Sequence, residues 1–181
     1  MSRRLIVLLL VSVLALSCVF ASKNTVNVQL SPYAYQKVKF KSGTEFKTMY
    51  CFGAKAGYRY ALTDSISIGA FVSYENFKFN SIDDRYHVLS LMPELGTTVK
   101  LSDMLDLDFA FALGADYRIF KNEKHLYPAG SGYIGLSVNV SELVSVTAGS
   151  ELKICYQSNS NGSLSSTDTN LIFSLGSKIN L

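Results

Sequence analysis

The chain has 181 residues, 48% hydrophobic and 12% aromatic but only 17% charged, a length that fits a single domain. Its 17 basic and 14 acidic residues almost balance, which argues against nucleic acid or another polyanion as a bulk partner. Three cysteines are too few for a scaffold held by disulfides.

The N-terminus carries an address. Met1-Ser2-Arg3-Arg4 leads into an apolar run from Leu5 to Leu16 and then into Val19-Phe20-Ala21, the pattern of a secretory signal peptide over residues 1–21. The run is too short to span a bilayer as a helix. A lipidated Cys18 is the rival reading, and Ala15-Leu16-Ser17 fits the approach to such a site poorly. Cleavage after Ala21 removes Arg3 and Arg4 from the 17 basic residues and leaves 15, against 14 acidic ones. Residues 22–181 contain no apolar run of about 18 residues, so a helical membrane protein is excluded.

From Val26 onward the chain alternates with period two. Leu62-Thr63-Asp64-Ser65-Ile66, Leu101-Ser102-Asp103-Met104-Leu105 and Val140-Ser141-Glu142-Leu143-Val144 each read as a strand end, a turn made by a hydroxyl residue and an acid, and a strand start. Thr63, Ser102 and Ser141 stand in equal 39-residue steps, the period of one up-and-down hairpin with its far loop. Midway lie longer polar stretches at 36–45, 76–85, 118–126 and 157–169. The regular exchange of short and long connections predicts eight antiparallel strands, at about 25–35, 46–62, 65–77, 85–101, 104–119, 126–140, 143–157 and 169–181. Such a set closes into an up-and-down barrel without an edge. Pro93 falls inside the fourth strand, where a bulge at Met92-Pro93-Glu94 or a displaced strand boundary would accommodate it.

Each strand has one bulky apolar face and one small-or-charged face. Leu105, Leu107, Phe109, Phe111 and Leu113 oppose Asp106, Asp108, Ala110, Ala112 and Gly114. Gly, Ser and Ala suit a narrow lumen better than a solvated exterior, so the apolar face is expected to point outward into lipid. Tyr58 and Tyr60 near the short turns, and Tyr50, Phe52, Tyr74, Tyr117 and Tyr156 toward the loops, fit two interfacial girdles. The fold class expected is all-β, an eight-stranded antiparallel up-and-down transmembrane β-barrel over residues 22–181. A soluble lipocalin-like binder is the alternative with the faces exchanged.

In strand number and patterning the mature chain resembles the small outer-membrane barrels of the OmpA and OmpX type, although it carries no diagnostic motif and ends in Leu181 rather than an aromatic residue. The resemblance implies an outer-membrane protein, delivered after secretion across the inner membrane and built by the outer-membrane assembly machinery. It further implies a monomer surrounded by lipopolysaccharide or an equivalent lipid, with no cofactor, metal or nucleic acid.

The inward parity carries six basic and six acidic groups. Lys55, Arg59, Glu75, Glu94, Asp116, Glu151, Lys153 and Lys178 form the expected lumen charge network, joined by Lys100, Asp106, Asp108 and Arg118. Charges at this density persist only when paired or hydrated, giving either a salt-bridged plug or a narrow conduction path. Eight strands enclose little more than their own side chains, which favours the plug. Counting from the turns groups Lys55, Glu94 and Glu151 in one middle layer. Cys51 and Cys155 share the inward face but their strands, the second and seventh, are separated by two others around the ring, too far to bridge, so free thiols are expected.

A basic loop side, Lys37, Lys39, Lys41 and Lys47 in the first loop with Lys121 and Lys124 in the third, faces acidic short turns at the other end. It is the candidate surface for lipopolysaccharide phosphates or an acidic host polymer. His87 and His125 are the only histidines, and they lack the nucleophile and orienting acid that lipid-modifying chemistry needs. A non-enzymatic structural or adhesin-like barrel is therefore expected, with a narrow transport channel as the alternative.

Overall fold

The alternation closes on itself. A computed structural model describes residues 24–40, 45–79, 85–120, 123–158 and 165–181. They form β1 (Asn24–Phe40), β2 (Glu45–Ala61), β3 (Ile66–Phe79), β4 (Arg85–Lys100), β5 (Leu105–Phe120), β6 (Glu123–Asn139), β7 (Val144–Ser158) and β8 (Ser165–Asn180). Every strand pairs antiparallel with its sequence neighbours, and β1 pairs with β8 to complete a closed barrel. The expected signal peptide lies outside the described residues.

The three short turns are held by their hydroxyls. Thr63 Oγ1 accepts from the backbone N–H groups of Ser65 and Ile66 at 3.3 and 3.0 Å. Ser102 Oγ accepts from Met104 at 3.3 Å and Ser141 Oγ from Val144 at 3.1 Å. Among the described residues these turn bonds are accepted by the hydroxyls, while the acids beside them, Asp64, Asp103 and Glu142, are exposed.

The strands run further toward the loops than the hydrophobic pattern indicates. Lys39 pairs with Glu45, Phe120 with Glu123, and Ser158 with Ser165, so much of each polar stretch is wall rather than loop. Toward the loops the outer face becomes polar, at Lys37, Lys39 and Thr167, while the inner face stays buried at Val38, Ser166 and Asp168, so the ladder continues after the apolar contrast has faded.

Pro93 is accommodated without a bulge. The β4–β5 register is the same on either side of it, with Leu91 opposite Ala115 and Glu94 opposite Ala112, and the ladder passes over Met92 and Pro93. On the other side Pro93 pairs with Ala70 in β3, so the missing N–H falls on the β5 side. Register shifts occur elsewhere, between Leu30 and Tyr33 on the β1–β8 seam, around Pro32, and between Thr48 and Tyr50 in the β2–β3 ladder. A third proline, Pro128, marks where the β6–β7 ladder begins, at Ala129 opposite Cys155.

The faces are inside out by the standards of a protein in water. Leu91 and Leu113 on the outer wall are each 61% exposed, while Asp116 and Lys153 in the lumen are fully buried. A continuous apolar exterior over eight strands is untenable in water and stable in lipid, so the wall spans a membrane. Exposed Tyr58 and Tyr60 near the turns, and Phe52, Tyr74, Tyr117 and Tyr156 toward the loops, flank the apolar band.

Candidate functional site: the lumen and the loop-side rim

The lumen is filled by charged side chains that meet across it. Nearest the turns, Lys178 Nζ lies 2.6 Å from the carboxylate of Asp108, which also accepts from Thr98 at 2.8 Å and from Ser137. Arg59 makes a two-pronged contact with Glu94, at 2.6 and 3.1 Å, the planar fork matching the carboxylate. Lys55 pairs with Glu151 at 2.9 Å, its ammonium 3.7 Å from the centre of the Phe71 ring. Glu94 therefore belongs with Arg59, not with Lys55 and Glu151 in one trio. Gln29 donates to the Tyr133 hydroxyl at 3.2 Å and closes the layer. The void among Lys55, Arg59, Glu94, Tyr133 and Lys178 measures about 10 Å³, room for about one water.

Above it, Lys153 is bound by Glu75 at 2.5 Å and Ser90 at 3.1 Å, with Asp116 at 3.6 Å. Asp116 also accepts from Ser90 at 2.7 Å and from Arg118 at 3.2 Å. Arg118 continues to Asp168, which Gln157 and Gln36 also reach at 2.5 and 3.4 Å. The packing between and around these pairs is apolar, with Phe71, Met92, Ala112, Ala129 and Cys155 in one cluster and Ala34, Phe77, Tyr86, Val88 and Ile172 in another.

All eight residues of the expected network face the lumen and each stands in an ion pair. Asp106 lies lower, accepting from Asn139 at 3.1 Å, and Lys100 is exposed at the turn end. Asp168, Gln36 and Tyr133 complete the network and are not among the residues read from sequence. Asp168 has the parity of Asn170 and Ser174, but its place in a supposed loop concealed it. Tyr133 leans over Gly135 and Gly149, where an added Cβ would overlap its ring. Paired glycines on neighbouring strands were the signal available for it.

The rim residues are wall residues. Lys37 and Lys39 lie in β1, Lys47 in β2 and Lys124 in β6, while Lys41 and Lys121 fall outside the described residues. His87 sits on the outer wall, its Nδ1 2.8 Å from the Tyr74 hydroxyl, whereas Ser90 points into the lumen toward Asp116. His125 stacks on Tyr127 and lies 3.5 Å from Glu123. Cys155 is a buried free thiol. Cys51 is in β2, and its side chain lies outside those described. Among the described residues no cluster of His, Cys, Asp and Glu could hold a metal.

No protein-family model and no curated protein sequence matches the chain. Solved structures do. Neisserial surface protein A is similar at a TM-score of 0.62 and 13% identity, covering 87% of this chain and 97% of that one. Ail, the attachment invasion locus protein of Yersinia pestis, is similar at 0.52 and 13%, covering 87% and 99%. The outer membrane protease OmpT from Escherichia coli is similar at 0.51 and 9%, covering 89% and 97%. The chain has the fold of the small eight-stranded outer-membrane barrels.

Proposed function

We propose that this barrel resides in the outer membrane as a non-enzymatic structural or adhesin-like element, with a closed lumen and its activity at the loop end. The observation carrying this reading is the filled interior. Four ion-paired groups and the Tyr133 ring around a void of about 10 Å³ leave no path for a hydrated ion. The outer wall supports the non-enzymatic part, because His87 and Ser90 lie on opposite sides of it. Similarity to a surface protein and to an attachment invasion locus protein supports action at the cell surface, and the similarity to a protease makes the absence of hydrolysis worth measuring.

A transport role is the second reading. It is favoured by a recess of about 210 Å³ at the turn end, lined by Arg59, Lys100, Asp106 and Lys178, where a conduction path would begin. Planar bilayers separate the two readings. The plug predicts a silent membrane containing heat-modifiable, folded barrel, and steady single-channel steps would replace it with the channel. Outer-membrane residence is tested by fractionation. Folded protein in the outer-membrane fraction supports it, and a soluble monomer obtained without detergent would overturn it.

A further inference from the structure

Once Asp168 is counted, the charges in the loop-end half of the lumen do not balance. Below it the ions come in pairs, Lys55 with Glu151, Arg59 with Glu94 and Lys178 with Asp108. Above, Glu75, Asp116 and Asp168 share two cations, Lys153 and Arg118, among the described residues. All five are at most 4% exposed. Glu123 and His125, higher on the same inner parity, are exposed at the rim and meet water instead. A surplus carboxylate in so dry a place is costly unless something positive joins it.

Unused oxygens lie beside that surplus. Asp168 Oδ2 accepts from Arg118, from Gln157 at 2.5 Å and from Gln36 at 3.4 Å, while Asp168 Oδ1 has no hydrogen-bond partner among the described residues. Since the Gln36 nitrogen is the donor, its other end is the oxygen, and that oxygen is unpartnered too. Asn170 stands directly opposite Gln36 in the β1–β8 ladder and two residues from Asp168 on the same face of β8. Neither atom of its amide is bonded among the described residues, although Gln36 and Asn170 are both fully buried. Buried amides are almost always satisfied, so two orphans adjoining an under-neutralised carboxylate mark a place for a ligand.

We propose that Asp168, Gln36 and Asn170 hold a small monovalent cation of the sodium type, through one carboxylate oxygen and two amide oxygens. Donors that are all oxygen suit a hard ion, and the site needs no cluster of acids. The charge sets the valence. One positive charge balances Glu75, Asp116 and Asp168 against Lys153 and Arg118, whereas a divalent ion would leave an excess of the opposite sign. A proton on Asp168 would balance them as well, but it would serve only one of the two amide oxygens and leave the other orphaned. The cation takes all three.

The test is a salt series at fixed ionic strength. The barrel is folded into vesicles of zwitterionic phosphatidylcholine, and sodium chloride replaces choline chloride at a total of about 0.2 M, so that screening stays constant. Urea unfolding is followed by heat-modifiable gel mobility. Wild type should unfold with a constant about tenfold lower in sodium than in choline, the linkage expected when the ion is present at about ten times its dissociation constant. Asn170→Leu removes one ligand, leaves the contact between Asp168 and Arg118 in place, and should lose the sodium effect. Asp168→Asn removes the surplus charge and should lose it too. Asp106→Asn alters another carboxylate with an unpartnered oxygen, at the turn end, and should keep it. Equal unfolding of wild type in the two salts overturns the site, and so does a sodium effect that survives Asn170→Leu or disappears in Asp106→Asn. Stabilisation of wild type by acid in choline, with no response to sodium, would replace the ion with a proton held on Asp168.

Discussion

Replacing Lys153 by methionine removes the one cation among the described residues that is paired with Glu75. The two carboxylates beside Lys153 are unequally protected. Asp116 keeps Arg118 at 3.2 Å and Ser90 at 2.7 Å, whereas among the described residues Glu75 keeps only the Ser73 hydroxyl at 3.4 Å. Both are buried, so the substitution strands about one uncompensated charge, a loss of about 3–5 kcal/mol where a buried pair is broken from one side. At about 1.36 kcal/mol per decade this raises the unfolding constant by between two and four decades. Methionine nearly matches lysine in length, so packing contributes little to the loss. Removing both partners, in Lys153→Met with Glu75→Gln, leaves no stranded charge and should recover most of the stability. The measurement is urea unfolding in lipid vesicles across the full double-mutant cycle. A Lys153→Met barrel within about 0.5 kcal/mol of wild type would refute a dry, ion-paired plug, because a water-filled lumen would solvate Glu75 regardless.

Leu113→Arg, at mid-height on the outer wall, should cost about 2–4 kcal/mol in vesicles by the same unfolding assay, and no loss would mean that this face does not meet lipid. Gly149→Ala places a methyl group against the Tyr133 ring and the Ile134 carbonyl, and should lose about 1–3 kcal/mol, with Tyr133→Leu in the same chain restoring part of it. In a chain with Cys18 and Cys51 replaced by serine, Cys155 should resist maleimide in the folded barrel and react once it is unfolded in urea. Labelling of the folded protein at the rate of a free thiol would show that the lumen is open to solvent.

Strand number, direction and facing were legible because each rests on a local period. Thr63, Ser102 and Ser141 mark the turns, and the parity that puts Leu113 outward also puts Asp116 inward. The pairing inside the lumen was not legible. Glu94 meets Arg59 two strands away rather than Lys55, because the stagger of the closed sheet decides which side chains share a height, and counting residues from the turns does not contain that stagger. Asp168 was hidden for a different reason. Hydrophobic contrast ends before the strand does, so a polar run that stays in the ladder looks like a loop. Pro93 shows the converse. A proline in a strand looked like a bulge, yet the chain keeps its register and gives up ladder contacts on one side only.

The ion pairs of the lumen join strands that are not neighbours: β2 to β7 through Lys55 and Glu151, β3 to β7 through Glu75 and Lys153, and β5 to β8 through Asp108 and Lys178. A hollow cylinder of hydrogen-bonded strands can be squeezed into an oval without breaking a rung of any ladder. Struts across the diameter prevent that, since flattening along one axis would pull partners apart along the other. The lateral pressure of the surrounding bilayer is thereby borne by side chains rather than by the sheet. The four loop-side connections stand on a ring of fixed outline, so their bases keep a constant spacing whatever sequences they carry.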